Sequence, residues 1–239
     1  MSNILEIAVF NVQSALAAQD AGAGRIELCE SPYDGGTTPS FGTLKTVAEK
    51  ISIPVFPIIR PRGGDFLYTD AEFEVMKKDL LLCKQLGFQG AVLGLLNFDG
   101  TIDTKRTQQL VDLAYPLEIT FHRAFDRAKN PLESMEKIIA TGCSRILTSG
   151  QKPNVGDARE LVRQLIQQAD DRIIILPGSG VRSSNLRSIM ETGAEEFHSS
   201  ARKEMPSLMQ FTVDSMSETL ANISVDTEEI RKMKNILQA

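Results

Sequence analysis

The sequence predicts an α/β fold, a single (β/α)8 TIM-type barrel with a C-terminal extension helix. Eight strand-like runs alternate with helix-like stretches over 239 residues, which indicates a parallel sheet and matches the size of an eight-unit barrel. Five of the runs are apolar on one face and carry ionisable groups on the other. A glycine-containing turn of one form precedes every second strand. A doubly wound open sheet is the alternative, but it gives no reason for such a repeat.

The predicted elements follow one another in strict alternation. The strands lie near residues 5–10, 25–30, 54–60, 90–96, 117–123, 145–150, 172–178 and 195–200. The helices cover residues 11–21, 40–50, 69–86, 104–115, 130–141, 155–169 and 184–192. Some helices have clear start signals, such as Asp70 before Glu72 and the pair Asn130-Pro131.

A weak internal repeat supports the barrel over the open sheet. Residues 21–26, 86–91, 141–146 and 192–197 each contain a helix end, a glycine placed to cap it, a short turn and a strand. These units precede the second, fourth, sixth and eighth strands. Because the interior layers of a barrel come from alternate strands, a two-unit period suits that fold.

The polar faces of the strands indicate an interior site. Glu6 faces away from its apolar neighbours in the first strand, Glu27 shares a face with Cys29, and His122 shares one with Glu118. Helices cover the apolar faces, so the polar faces point into a shared interior, where unpaired charge is unfavourable. For Glu6 we expect a buried ion pair with Arg25, Arg60 or Arg145.

The end of the chain differs from the rest. We assign residues 1–202 to the barrel, and 203–239 to a polar segment and docking helix of the same domain. Asp226 and Glu229 form a capping-box pattern. Ile230 and Met233 begin an apolar face, so this helix docks on the barrel wall or on a second subunit.

Composition excludes several classes of protein. A net charge of −5 without a lysine-rich run argues against nucleic-acid binding. No apolar run approaches the roughly 20 residues that span a bilayer, and the amino terminus lacks the features of a signal peptide. Three scattered cysteines without a CxxC motif indicate free thiols in a reducing compartment, so we expect a cytoplasmic protein that binds no membrane.

The carboxyl ends of the strands are the expected functional face of such a barrel. Gly178, Ser179 and Gly180 follow the seventh strand and Arg202 follows the eighth, where this fold often binds phosphate. Arg60 and Arg62 follow the third strand and could clamp an anion. The sequence thus predicts a site for a small anion, although the Gly-Ser-Gly segment is equally compatible with a simple tight turn.

His122 and His198 are the only histidines, and both fall near strand ends on the inward face. We predict general acid–base chemistry by His122 and Glu27, because a carboxylate near an imidazole brings both groups towards neutral pH. Cys29, His122 and His198 are the candidate metal ligands, and with nearby glutamates the histidines would suit zinc or another divalent ion. The alternative is a pair of core histidines bonded to glutamates.

Several long motifs resemble the CutC family, which is named for copper homeostasis. The resemblance runs from about Leu5 to Arg202 and rests on Arg25–Cys29, Gly35–Ser40, Ile59–Phe66, Thr120–Asp126, Leu147–Gly150, Pro177–Gly180 and Glu196–His198. It implies a TIM-type barrel, a cytoplasmic location, a homodimer or higher homo-oligomer, and a role in copper homeostasis or copper ion binding.

The chain also departs from that family's pattern at two positions. Ala8 and Ser199 stand where some relatives carry cysteine. Copper(I) prefers sulfur ligands, so we expect weak copper(I) binding centred on Cys29. Two functions therefore remain open: the copper homeostasis that the resemblance implies, and a barrel enzyme or binding protein for a phosphorylated or carboxylated small molecule.

Overall fold

The computed structural model describes residues 3–213 and 215–239, and its centre is a ring of eight parallel strands. The strands that form this ring are β1 (Ile4–Val9), β2 (Arg25–Leu28), β3 (Val55–Pro57), β4 (Gly90–Leu93), β5 (Glu118–Phe121), β6 (Arg145–Thr148), β7 (Ile174–Pro177) and β8 (Glu196–Ser199). Each lies within one of the eight predicted runs or starts one residue before it.

A helix follows each of the first seven strands. These helices are α1 (Val12–Ala21), α2 (Phe41–Lys50), α3 (Asp70–Gln85), α4 (Thr104–Ala114), α5 (Pro131–Ala140), α6 (Arg159–Ala169) and α7 (Leu186–Met190). Of the predicted start signals, Pro131 opens α5 as expected, but the Asn130 side chain makes no capping hydrogen bond. The cap of α3 is Thr69, which forms a complete capping box with Glu72, and Asp70 is the first residue of the helix.

Hydrogen bonds order the strands as two four-stranded parallel sheets, β3-β2-β1-β8 and β4-β5-β6-β7. A bridge between Ile58 and Val92 joins the sheets, with the Ile59 N–H 2.7 Å from the Val92 carbonyl oxygen. At the other seam β7 lies beside β8. The parallel sheets confirm the predicted α/β fold, and the cyclic order is consistent with a (β/α)8-type barrel, with the carboxyl ends of the strands on one face.

The register of β1 sets up the interior site. Glu6 is aligned with Arg25 on β2 and with His198 on β8. Residues at matching positions of neighbouring strands point to the same face, so these three side chains meet inside the ring at one level. Apolar side chains from the opposite strand faces pack against the helices, as Ile7 and Ile26 do, and both are fully buried.

The chain after β8 forms more than the predicted polar segment with a docking helix. An antiparallel hairpin, β9 (Arg202–Met205) with β10 (Asn222–Val225), precedes α8 (Thr227–Leu237). Helix α8 contacts α1, α7 and β1, so it is the eighth helix of the ring. All of β9 is exposed, and its residues carry no apolar alternation that would have indicated a strand. No helix in the described residues is long and apolar enough to cross a membrane.

Candidate functional site

A cavity of about 510 Å³ opens at the carboxyl ends of the strands, and we call it the mouth cavity. Its size suits a small metabolite. It brings together eight of the ten residues that sequence reasoning had singled out: Glu27, Cys29, Arg60, His122, Ser179, Gly180, His198 and Arg202. Arg62 and Gly178 are not among the lining residues.

Two glutamates flank His198 in the floor of the mouth cavity. Its Nδ1 atom lies 2.7 Å from Glu6 Oε1, and its Nε2 atom lies 3.7 Å from Glu27 Oε2. All three side chains are at least nine-tenths buried. The sequence predicts that Glu27 acts with His122. In the structure β1 pairs with β8, so the histidine nearest to the Glu27 carboxylate is His198.

Ion pairs continue from Glu6 deeper into the barrel. Arg25 bridges Glu6 and Glu196, at 2.5 Å from each carboxylate. Arg145 bonds Glu196 at 2.8 Å and also pairs with Glu118. The expected pairing of Glu6 with an arginine is therefore observed. Removing one member would leave a buried charge uncompensated, which makes the set a strong constraint on side-chain positions.

The environments of Glu6 and Glu27 act on their pKa values in opposite directions. Burial would raise the pKa of Glu6, but the charge of Arg25 and the hydrogen bond to His198 hold it at about 2. Burial raises the pKa of Glu27 to about 7, and the charge of Glu6 adds to this although His198 opposes it. Glu27 is therefore a carboxyl group that can gain or lose a proton near neutral pH.

His198 keeps its proton more strongly than a free imidazole does. Burial alone would lower its pKa, but the hydrogen bond to Glu6 and the charge of Glu27 raise it. The imidazole therefore lies between one carboxylate that is hydrogen-bonded to it, Glu6, and a second that is 3.7 Å away, Glu27.

His122 has the opposite character. Burial lowers its pKa to about 3, and the positive charge of Arg60 adds to the effect. Its Nδ1 atom accepts a hydrogen bond from the Ala124 N–H at 3.2 Å, while Nε2 has no partner among the described residues. The Phe66 ring lies against the imidazole, with ring centroids 4.9 Å apart. His122 is thus a neutral imidazole in the cavity wall.

Arg60 and Arg62, both expected to clamp an anion, have structural partners. Arg60 donates to the carbonyl oxygens of Asp34, Gly36 and Gly64 at 2.6–2.8 Å, so it ties two loops to the cavity wall, although its Nε atom stays unpaired. Arg62 pairs with Asp65 and Glu72 at 2.9 and 2.5 Å. The structure therefore places Arg62 outside the cavity and leaves Arg60 in its wall.

The loop after β7 lines the cavity and carries two backbone N–H groups without an acceptor in the described residues. Ser179 and Gly180 both have left-handed backbone conformations, with φ values of 75° and 77°. The Ser179 carbonyl accepts from the Val155 N–H, and the Gly180 carbonyl accepts from the Asn185 side chain. Since N–H and C=O point in opposite directions across a trans peptide, the N–H groups of Gly180 and Val181 face away from those partners. The described residues offer neither N–H an acceptor.

Gly178 supports this loop from behind. A Cβ atom there would lie 2.5 Å from Leu147 and 3.1 Å from His198, so only glycine lets the loop approach β6 and β8 this closely. Gly178 therefore shapes the cavity without lining it.

Positive charge is concentrated around the mouth cavity. Five arginines line it (Arg60, Arg123, Arg127, Arg182 and Arg202), against three carboxylates (Glu27, Asp34 and Asp126). Arg127, Arg182 and Arg202 form no ion pair with any carboxylate in residues 3–213 and 215–239. In a chain of net charge −5, this local excess favours a negatively charged ligand.

Sequence reasoning gave no role to Asp126, which fixes the rim of the cavity. Its carboxylate accepts from Arg123 Nε at 2.8 Å, from Thr148 Oγ1 at 2.6 Å, and from the Ser149 backbone and hydroxyl at 3.0 and 2.8 Å. It therefore ties the loop after β5 to the end of β6. Its position after β5 was visible in the sequence, but its partners belong to another strand.

The candidate metal ligands do not fit a metal centre within one chain. Cys29, His122 and His198 all line the cavity, yet the described part of the chain holds no group of three or more His, Cys, Asp or Glu side chains placed to bind an ion. Burial raises the pKa of the Cys29 thiol well above its usual value, and the charge of Glu27 adds to this. A thiol that holds its proton is a weak metal ligand.

The sequence and structure are similar to those of known proteins. The CutC family model matches residues 3–203. CutC family proteins of Salmonella heidelberg and Erwinia tasmaniensis are 43% and 44% identical, over 98% of this chain and 97% and 96% of theirs. The CutC structure of Streptococcus agalactiae superposes with a TM-score of 0.78 at 33% identity, covering 83% of this chain and 98% of that one. The chain therefore belongs to the CutC family.

Proposed function

We propose that the mouth cavity binds a small phosphorylated or carboxylated molecule and that Glu27 exchanges a proton with it. The observation that carries the proposal is the excess of arginines over carboxylates around a cavity of metabolite size in an otherwise acidic chain. An anion in this cavity gains from the combined positive charge of these side chains.

The anionic group would sit where β7 and β8 end. The backbone N–H groups of Gly180 and Val181 have no acceptor there, and both residues line the cavity. Arg182 and Arg202 line the same end and make only long contacts, of 3.4 and 3.5 Å, with backbone carbonyls. Two free N–H groups with two guanidinium groups are a suitable donor set for a phosphate or a carboxylate.

Glu27 supplies the acid–base function in this proposal. It lines the cavity, it is 5% exposed, and its pKa of about 7 leaves both protonation forms populated at neutral pH. His198, which is bonded to Glu6, lies 3.7 Å from the Glu27 carboxylate. The function is therefore that of an enzyme acting on a small anion, rather than of a passive binding protein.

Copper(I) handling is the second candidate, and family membership is what favours it. The Streptococcus agalactiae relative is described as a candidate copper homeostasis protein. Copper(I) prefers two or more soft sulfur ligands, and Cys29 is the only cysteine at this cavity. A second thiolate would have to come from another copy of the chain, which agrees with the predicted homo-oligomer. We propose copper(I) binding here only as a weak, secondary property.

Thermal-shift screening against phosphorylated and carboxylated metabolites tests the first proposal. We expect stabilisation of the wild-type protein that is reduced in the Arg60→Ala and Arg202→Gln variants. The matched control is Arg163→Gln, which removes one positive charge from the surface of α6 and leaves the cavity untouched. Equal responses in the wild type, Arg202→Gln and Arg60→Ala would contradict the proposal.

A further inference from the structure

Two buried N–H groups on residues of the mouth-cavity wall lack an acceptor. They are Nε2 of His122 and Nε of Arg60, and neither has a hydrogen-bond partner in the described part of the chain. Burying a donor without an acceptor destabilises a fold, so buried donors are rarely left unpaired. Of the five buried side-chain polar atoms without a partner in the described residues, these two belong to residues that line the cavity, where a ligand oxygen could complete the missing bonds.

The tautomer of His122 determines what kind of oxygen that is. Because Nδ1 accepts from the Ala124 N–H, the ring proton is on Nε2. Burial and the charge of Arg60 keep the imidazole neutral, with a pKa of about 3. A neutral N–H group carries no full positive charge. Its hydrogen bond can still polarise a carbonyl group and stabilise the oxyanion that forms from it.

We propose that the ligand is a phosphorylated aldehyde or ketone, that His122 Nε2–H binds its carbonyl oxygen, and that Glu27 removes the proton from the adjacent carbon. This inference rests on the proposed function and deepens it by naming the substrate class. The phosphate would accept hydrogen bonds from the donors at the ends of β7 and β8. The carbonyl group would lie deeper in the cavity, towards β2 and β5.

The reaction step balances without a further reactant. The C–H bond breaks, its proton passes to the Glu27 carboxylate, and its electron pair forms the C=C bond of an enolate. The carbonyl π pair moves to the oxygen, whose charge is stabilised by His122 Nε2–H and by the Arg60 guanidinium. Return of the proton from Glu27 to the same carbon regenerates the substrate with solvent hydrogen exchanged into it. For a substrate with a hydroxyl group on that carbon, delivery of the proton to the former carbonyl carbon, with transfer of the hydroxyl proton to the former carbonyl oxygen, gives the isomer.

The Phe66 ring lies against the imidazole, and Nε2 is shielded from solvent, so water does not compete for that hydrogen bond. Phe66 itself lines the cavity and belongs to the connection between β3 and α3. For a ligand oxygen to reach Nε2, this ring would have to shift.

Nitrogen NMR of the labelled protein tests the geometric premise. The chain has only two histidines, so a His198→Gln variant assigns the spectrum. We expect His122 as the neutral tautomer with its proton on Nε2 at pH 7. A charged His122, or a proton on Nδ1, would overturn the inference.

Isotope exchange tests the chemistry. We expect the wild-type protein to catalyse exchange of carbon-bound hydrogen of dihydroxyacetone phosphate or glyceraldehyde 3-phosphate with D2O. Glu27→Gln and His122→Gln should each reduce the rate by about 10²-fold or more, and binding of inorganic phosphate should stay within about twofold of wild type. Glu160→Gln, on the exposed surface of α6, is the matched control and should exchange at the wild-type rate.

The outcomes separate this inference from the function on which it rests. Phosphate binding without exchange of either probe would overturn the enolisation chemistry and leave the anion site standing. If the wild-type protein neither binds phosphate nor catalyses the exchange, the proposed function is overturned as well. Exchange that persists in a folded Glu27→Gln variant would show that another group is the base.

Discussion

At the scale of single residues, Glu6 and Glu27 show how two carboxylates beside one imidazole acquire different roles. Arg25 donates to Glu6 at 2.5 Å, whereas no arginine lies within bonding distance of Glu27 in the described residues. Glu6 therefore stays ionised, and Glu27 titrates near neutrality. Pairs of groups whose surroundings separate their pKa values in this way are typical of acid–base sites.

This difference predicts how stability depends on pH. The pKa of Glu27 in the folded protein, about 7, exceeds the usual glutamate value of about 4.5. Between these values the native state holds the proton more tightly than the unfolded chain does, so the protein loses stability as the pH rises through this range. Glutamine cannot ionise. The free energy of unfolding of Glu27→Gln, relative to wild type, should therefore increase by about 1–3 kcal/mol from pH 5 to pH 8. Denaturant titrations at both pH values measure it.

Glu160→Gln provides the control for that experiment. Its side chain is 70% exposed, so its stability difference from wild type should be the same at pH 5 and pH 8. If the difference in unfolding free energy between Glu27→Gln and wild type is also the same at pH 5 and pH 8, Glu27 has an ordinary pKa.

Cys29 yields a second prediction at this scale. Because its thiol is buried and holds its proton, we expect copper(I) binding to be weak and to be lost in Cys29→Ser, while Cys143→Ser, at the amino end of β6, retains it. Competition against a chelator of known copper(I) affinity measures both. Tight binding of one ion per chain that survives Cys29→Ser would identify a different ligand.

At the scale of elements, the alternation of apolar and polar positions was enough to predict the strands and their inward faces. It placed Glu27, His122 and His198 in one interior before any contact was known. The pairing of His198 with Glu6 could not be read from it, because that contact joins the first and last strands and depends on the register of ring closure. The β9–β10 hairpin was missed because its first strand is exposed throughout.

The loop after β7 gives a prediction at the same scale. Gly180 has a φ of 77°, and a Cβ atom there would lie 2.4 Å from the Asn154 side chain. Gly180→Ala should destabilise the protein by about 1–3 kcal/mol and weaken phosphate binding. In contrast, Gly42 lies within α2 with open space around it, so Gly42→Ala should stabilise by about 0.5–1 kcal/mol. Thermal melts and phosphate titrations compare the two. If the two variants have the same effect on stability and on phosphate binding, the left-handed conformation at Gly180 is not required for either.

At the scale of the whole molecule, the ring of helices is complete only when the last segment is present. Helix α8 lies between α7 and α1, and both Ile230 and Met233 are fully buried. The chain after β8 is therefore part of the barrel, and the first and last thirds of the sequence depend on each other. The assembly of this chain into a homodimer or higher homo-oligomer stays a prediction.

Removing the last helix tests this dependence. A chain that ends at Val225 should lose cooperative unfolding, and Met233→Ala should destabilise the full chain by about 2–5 kcal/mol. The control ends at Leu237, the last residue of α8, and should unfold as wild type does. Circular dichroism during thermal unfolding distinguishes these results. Cooperative unfolding of the chain that ends at Val225 would show that α8 is an accessory element.

The measurement that most directly tests the anion site is a crystal structure of the protein with 2-phosphoglycolate bound, because this compound carries both a phosphate and a carboxylate. We predict its phosphate within hydrogen-bond distance of the Gly180 and Val181 N–H groups and of Arg202, and its carboxylate inside the mouth cavity, on the side of Glu27 and His122. A ligand bound elsewhere, or an empty mouth cavity at saturating concentration, would contradict the account.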